Sequence, residues 1–419
     1  MTYGPPPDLR EQAVASGVAD EPLAWGVCLV VGLAFFWLGR RSRLALCSGV
    51  TVFLTAPALG MLPLAVWGAY PTIDKAGSLH FYALGAHLQA FDTSAVATQL
   101  IGVSMGHLWV TALFDLALSA FAAMNAQALL NVILGWWLAS VLAAETGTPT
   151  RWALVAGFPM GMGLHMFRDI EWYTIEKSGT WPLTLYVLAL IRASQRGGWW
   201  IPAAGLAYGW AFFYNAYWGV LGALVGGAAL LVGNRQTRLA VAAAALAGLP
   251  FLLLQLPALR NAQLPAPAAF ATRAALDVFA PFGDTVWPPN WNRLELWSAL
   301  DLVVTVAALA TVVAAGRRWR APESRTTLML AAGIAIVGVL AMGPATPLWR
   351  GFASLPGLWR FAKPETFFHL VVLGSVVLAG RTLGKERVPL WAVVLVQLGL
   401  WVLLVRGHPV YPGFSAWVG

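Results

Sequence analysis

Residues 70–92 read YPTIDKAGSLHFYALGAHLQAFD and residues 105–125 read MGHLWVTALFDLALSAFAAMN. The first is a polar, aromatic-rich stretch between two apolar blocks, and the second is a hydrophobic run with a carboxylate in its middle. Together they place Asp74, Lys75, His80, His87, Asp92, His107 and Asp115 in a chain that is otherwise poor in ionisable groups. Of its 419 residues 59% are hydrophobic and only 11% charged, and the mean hydropathy is +0.70. Too few polar groups remain to cover a soluble globule. A helix crossing a bilayer needs about 20 mostly apolar residues, and such runs recur from Leu23 to Val405. The expected fold class is therefore all-α: a polytopic membrane protein with about 12 transmembrane helices plus one re-entrant or tilted helix.

Basic clusters punctuate the apolar runs and orient them. The first span ends at Arg40, Arg41 and Arg43, which the positive-inside rule places in the cytoplasm, leaving the acidic N-terminal stretch outside. Further basic turns follow at Arg151, at Arg192 and Arg196, at Arg235 and Arg238, from Arg317 to Arg325, and from Arg381 to Arg387. The resulting layout has an external tail over residues 1–22 and a single transmembrane domain over 23–405. Its external loops are 70–125, 260–295 and 344–363, and a short external tail covers 406–419. Spans pair as hairpins, one of them from Trp199 to Gly233 turning at FFYNAYW. Parity then requires Tyr70 and Asn125 on the same side, so the segment from His107 to Phe121 is expected to enter and return. Asp115 at its centre would be costly against lipid and tolerable facing a wet cavity. This layout sends all six histidines and all but four of the 18 acids to the external side, a sorting that was not used to draw it.

Several function classes are excluded or disfavoured by composition. The net charge of +8 lies in short clusters between spans, where orientation signals belong, so nucleic acid is not an expected partner. Two cysteines, Cys28 and Cys47, support neither a disulfide framework nor a thiolate metal site. The N-terminal stretch has no basic region ahead of its first apolar run, so no cleavable signal peptide is expected. Walker, dinucleotide-binding, nucleophile-elbow and HExxH patterns are absent. The 22 tryptophans fit interfacial belts and carbohydrate stacking equally.

Three constellations carry possible chemistry, each with a plainer alternative. Asp74, four residues after Tyr70 at the expected membrane exit, is placed to act as an external general base; alternatively it is a solvated acid paired with Lys75. His80 and His87 are seven apart, on one helical face, and with Asp92 could bind a divalent ion such as Mg or Mn, or simply mark an amphipathic surface helix. HMFRDIEWYTIEKSGTWP puts His165, Arg168, Asp169 and Glu171 at the outer end of a span, as substrate contacts or as an interfacial collar. WRGFASLPGLWRFAKPE carries Arg350, Arg360 and Lys363 beside Trp349 and Trp359. Cations there suit a lipid phosphate, with arginine offering a two-pronged fork, or anchor the chain by snorkelling.

The order of these features resembles the bacterial GT-C-type integral-membrane glycosyltransferases, especially the YfhO-like group. The likeness runs over about Pro71 to Gly380: an early external loop with an acid, the run HLWVTALFDLALSAFAAMNAQALLNVILGWW, an external EWYTIEKSGTWPLTLYVLAL, and the late GPATPLWRGFASLPGLWRFAKPETFFHLVV. What the resemblance implies is an all-helical, GT-C-like membrane domain in the bacterial cytoplasmic (inner) membrane. The activity implied is transfer of a sugar from a polyprenyl-phosphate donor to an acceptor on the extracytoplasmic face. The loop acid maps onto Asp74 as catalytic residue, and the late basic segment onto Arg360 and Lys363 as phosphate partners. Beside the resemblance, the constellations themselves offer Arg350, Arg168, Glu171 and His80 as further substrate contacts. The other reading is a non-catalytic GT-C-like subunit that binds lipid-linked intermediates or scaffolds a complex with membrane partner proteins.

Overall fold

In hydrocarbon a helix satisfies its own backbone, so the chain's layout is set by where helices stop and by what lets them pack closely. The structure is a computed structural model that describes residues 42–59, 105–115, 120–163, 179–261, 302–341, 346–354, 365–383 and 391–395, with single positions at 30, 33–34, 37–38 and 389. Among the described residues it is almost entirely helical, without a strand. The helices are α1 Arg43–Leu59, α2 Met105–Asp115, α3 Ala120–Glu145, α4 Thr150–Gly157, α5 Pro159–Met162, α6 Trp181–Arg196, α7 Trp200–Tyr214, α8 Ala216–Val232, α9 Arg235–Asn261, α10 Leu302–Arg317, α11 Pro322–Ala341, α12 Pro347–Ser354 and α13 Glu365–Leu383. Among the described residues, four stretches are long and apolar enough to cross a membrane: Ala126–Glu145, Arg235–Leu253, Pro322–Ala341 and Thr366–Leu383. This supports an all-α membrane protein.

The helix ends follow local chemistry. Gly197 and Gly198 take φ of 60° and 56°, a conformation side chains resist, and so turn the chain between α6 and α7. Asn215 has extended backbone between α7 and α8, and its side chain accepts a hydrogen bond from the Tyr217 amide at 2.9 Å. Asn234 does the same for α9, accepting from the Thr237 amide at 3.0 Å. Proline opens α11 and α12, where its missing N–H costs nothing.

Small residues fix the register of neighbours. A Cβ on Gly161 would lie 2.5 Å from the Trp136 Cβ, and one on Gly135 2.6 Å from the Met160 carbonyl, so α4 and α5 run antiparallel against α3. The Trp136 indole donates to the Leu154 carbonyl at 2.9 Å across the same contact. Tyr208 donates to the Gly219 carbonyl at 3.0 Å, closing the α7–α8 hairpin, and Gly205 abuts Ala243 where α7 meets α9. Gly374 meets Ile334 between α13 and α11, and Thr311 of α10 donates to the Leu378 carbonyl of α13 at 2.9 Å.

These pairings gather the basic turns at one end of the bundle. Glu145, at the end of α3, accepts from Arg192 at 3.2 Å and Arg196 at 2.5 Å. The Asn234 amide donates to the Ser194 carbonyl at 2.9 Å, Arg381 donates to Thr327, and Gly380 lies against Thr148. Among the described residues, the turns after α3, α6, α8 and α10 and the end of α13 are thus together. The other ends of α6, α7 and α13 hold Gly179, Tyr214 and Asn215, and His369 with Trp218, and Tyr214 there meets Asn131 in the middle of α3.

Three expectations are adjusted. The span expected from Ala126 begins at Ala120, so Asn125 sits within a helix and not at the end of the loop 70–125. The helix in the 107–121 region, Met105–Asp115, is about 16 Å long at 1.5 Å per residue, about half a bilayer core. The turn in FFYNAYW is fully buried at Asn215, not an exposed loop, because its side chain caps α8 within the bundle.

Gly161→Ala should destabilise the protein by about 1–3 kcal/mol through overpacking against α3. Gly227→Ala, with nothing within 4 Å of the new methyl, should be neutral or gain up to about 1 kcal/mol from helix propensity. Unfolding midpoints in detergent micelles check the pair, and equal effects would mean that α3 and α5 do not touch as described.

Candidate functional site

The end opposite the basic turns holds a buried, uncharged polar cluster. Gln127 and Asn131 are four residues apart on α3, hence on one face of an otherwise apolar helix, and both are wholly buried. Tyr214, the last residue of α7, is equally buried. Its hydroxyl accepts from the Gln127 amide at 2.6 Å and donates to the Asn131 side-chain oxygen at 2.7 Å. The Trp181 indole donates to the same Asn131 oxygen at 3.2 Å from the start of α6.

Close approach around this phenol is made possible by two glycines. A Cβ on Gly179 would fall 2.5 Å from the Tyr214 ring, and one on Gly106 2.6 Å from the Tyr214 backbone. Gly106 thereby brings α2 against α7 and sets His107 edge-on to Tyr214, with ring centroids 5.9 Å apart. Trp181 and Trp210 stand 5.4 Å and 6.1 Å from the same ring. On the far side of Asn215, Trp218 meets His369 edge-on at 5.1 Å.

The cluster can hydrogen-bond neutral polar groups. His107 Nδ1, Gln127 Oε1, Thr180 Oγ1 and Trp210 Nε1 are buried atoms with no hydrogen-bond partner among the described residues. An unmatched buried polar atom costs about 1–3 kcal/mol, so each of these four calls for a partner beyond the described residues. The hydrogen-bonded members carry no charge, and among the described residues no group of three or more His, Cys, Asp or Glu could hold a metal ion.

Of the residues singled out from sequence, Asp74, His80, His87, Asp92, Arg168, Glu171, Arg360 and Lys363 lie outside the described residues, as do Lys75, His165, Asp169 and the Asp115 side chain. Arg350 is exposed on α12, a helix within the stretch expected to be a proline-broken loop. Beside it Trp349 is buried against Phe352 and Phe367, at 5.8 Å each. His107 and His369 both sit at the expected end, though buried within the bundle. Gln127, Asn131 and Tyr214 were missed in the sequence. The signal was available for the first two, since an i, i+4 pair of amides inside an apolar span faces a partner and not lipid.

Searches against protein-family models, curated proteins and solved structures found no match.

Tyr214→Phe should cost about 1–3 kcal/mol, because it removes one hydrogen bond to each of two buried amides. Combined with Gln127→Leu the losses should be non-additive by about 0.5–3 kcal/mol, as expected of one network. A double-mutant cycle on unfolding midpoints measures this, and a coupling near zero would separate Gln127 from the phenol.

Proposed function

We propose that the chain is a GT-C-type membrane glycosyltransferase that moves a sugar from a polyprenyl-phosphate donor to an acceptor on the extracytoplasmic face. The reading includes a bacterial cytoplasmic membrane location, about 12 crossings and the basic end in the cytoplasm. The observation that carries it is where the candidate segments join the bundle. The chain carrying Asp74 enters at Met105, against Tyr214. The stretch with Arg168 and Glu171 leaves at Gly163 and re-enters at Gly179, again beside Tyr214. Arg350 lies on α12, and Arg360 and Lys363 lie between α12 and the start of α13, which meets α8 through Trp218 and His369. The joins at Met105 and Gly179 lie beside Tyr214, and the start of α13 meets α8 at Trp218, just beyond Asn215, which supports the reading.

In this reading the charged groups come from the connecting segments, and the bundle supplies a neutral hydrogen-bonding floor. Asp74 takes the proton of the acceptor hydroxyl as its oxygen attacks the anomeric carbon. The bond from that carbon to the phosphate oxygen breaks, and the polyprenyl phosphate leaves with the electron pair. Arg360, Lys363 and Arg350 stabilise the charge of the leaving phosphate; a divalent ion, were His80, His87 and Asp92 to hold one, would supply the same positive charge. No nucleotide is needed, since the phosphodiester of the lipid donor carries the group-transfer energy.

Asp74→Asn should lower turnover by about 10²- to 10⁴-fold with little change in stability, while Arg360→Ala should weaken donor binding as well as turnover. The assay is the protein in lipid vesicles supplied with polyprenyl-phosphate sugars, reading release of the lipid phosphate. Absence of turnover with every donor, together with a stoichiometric membrane complex that survives Asp74→Asn, would replace the enzyme with a structural subunit.

A further inference from the structure

The basic end of the bundle is not uniform in how it handles its charge. At the close of α6, Arg192 and Arg196 converge on the single carboxylate of Glu145, and Arg192 also lies 4.6 Å over the Trp200 ring. The turn between α10 and α11 is built otherwise. Residues 317–325, RRWRAPESR, carry Arg317, Arg318, Arg320 and Arg325, all exposed, and none in an ion pair among the described residues. The one acid of the turn, Glu323, sits in the first turn of α11, where a negative charge complements the helix dipole. Trp319 is 57% exposed between two of the arginines, with the Arg320 guanidinium 5.4 Å from its ring.

A second observation says what kind of anion this turn meets. On α10, Val306, Leu309 and Val313 are more than half exposed. Their spacing of three and four residues puts them on one helical face, and four residues after Val313 that same face reaches Arg317. An apolar stripe therefore leads into a turn of exposed arginines that form no ion pair among the described residues, with an exposed indole beside them. Guanidinium pairs with phosphate oxygens in two-pronged geometry, and indole settles at the headgroup level of a bilayer. A soluble anion would use the arginines and leave the stripe unused, whereas a lipid uses both.

We propose that the α10–α11 turn is a binding site for an anionic phospholipid, with the headgroup phosphate held by Arg317, Arg318 and Arg320 and an acyl chain lying along Val313, Leu309 and Val306. The site is at the opposite end of the bundle from the proposed chemistry and does not depend on it. Its occupant ties α10 and α11 to the membrane surface through charge that no ion pair neutralises among the described residues.

The test titrates the purified full chain in detergent micelles with phosphatidylglycerol, phosphatidylcholine or inorganic phosphate, and counts bound lipid by native mass spectrometry. Phosphatidylglycerol should bind, more weakly as salt rises, while phosphatidylcholine should not bind comparably and inorganic phosphate should not displace the lipid. The triple variant R317Q/R318Q/R320Q should lose about a hundredfold in affinity, at roughly fivefold per guanidinium. The control R235Q/R238Q, on the neighbouring exposed turn, should stay within about twofold, since general surface attraction falls off within a Debye length. Equal binding of phosphatidylcholine, a triple variant that binds as wild type, or a control that loses as much per charge would overturn the site. Displacement by inorganic phosphate at equal concentration would make it a free-anion site and overturn the lipid.

Discussion

Four helices meet at one phenol. The Tyr214 hydroxyl joins Gln127 to Asn131 on α3, Trp181 of α6 shares the Asn131 oxygen, and Gly106 of α2 packs on the tyrosine backbone. In a low-dielectric interior such a network is held firmly, because any one member left alone would keep an unsatisfied polar group away from water. The glycines at 106 and 179 are part of the same constraint, since a methyl at either position would meet the tyrosine before the helices could approach. Helix-to-helix attraction in lipid has no hydrophobic term to draw on, so close packing and buried hydrogen bonds set which helices are neighbours.

That constraint explains the asymmetry of the bundle. Along the helix bodies the contacts are between small and aromatic residues, such as Gly135 with Met160, Gly205 with Ala243, and Tyr186 with Tyr208 at 5.0 Å. Charged side chains collect at the basic end, where Glu145 meets its two arginines, while neutral ones gather where α7 passes into α8, with Tyr214 and Asn215 set against Asn131 in the middle of α3. The backbone break at Asn215 can be fully buried because its own side chain satisfies the orphaned amide of α8. A hairpin turn inside the bundle thus costs no exposure to lipid.

The all-helical membrane class was legible, because apolar run length is a strong signal in a membrane protein. The basic turns at Arg192, Arg235, Arg317 and Arg381 lie together. Element edges were less legible: α3 starts six residues before its expected span, and a helix over Pro347–Ser354 lies within a stretch whose prolines read as loop. A proline at the first helical position is compatible with either reading, and only the burial of Trp349 against Phe367 decides between them. The buried cluster was illegible for a different reason. Tyr214 is one of nine tyrosines, and its importance comes from residues 83 and 87 positions away that no local pattern connects to it.

The division between neutral interior and charged connecting segments bears on how a membrane enzyme of the proposed kind would be assembled. A carboxylate held among the helices would be driven to its neutral form by burial, and a neutral acid cannot serve as a base. Amides, phenols and indoles keep their hydrogen-bonding character at any depth, because they have no charge to lose near neutral pH. A site that must both hold an uncharged sugar and handle a phosphate is therefore best built in two parts. The rigid helix ends supply the neutral contacts, with geometry fixed by packing. Acids and cations for such a site are cheapest to ionise on segments that meet the helices from the water side. Tyr214, Gln127, Asn131 and Trp181 form a neutral hydrogen-bonding group of the first kind.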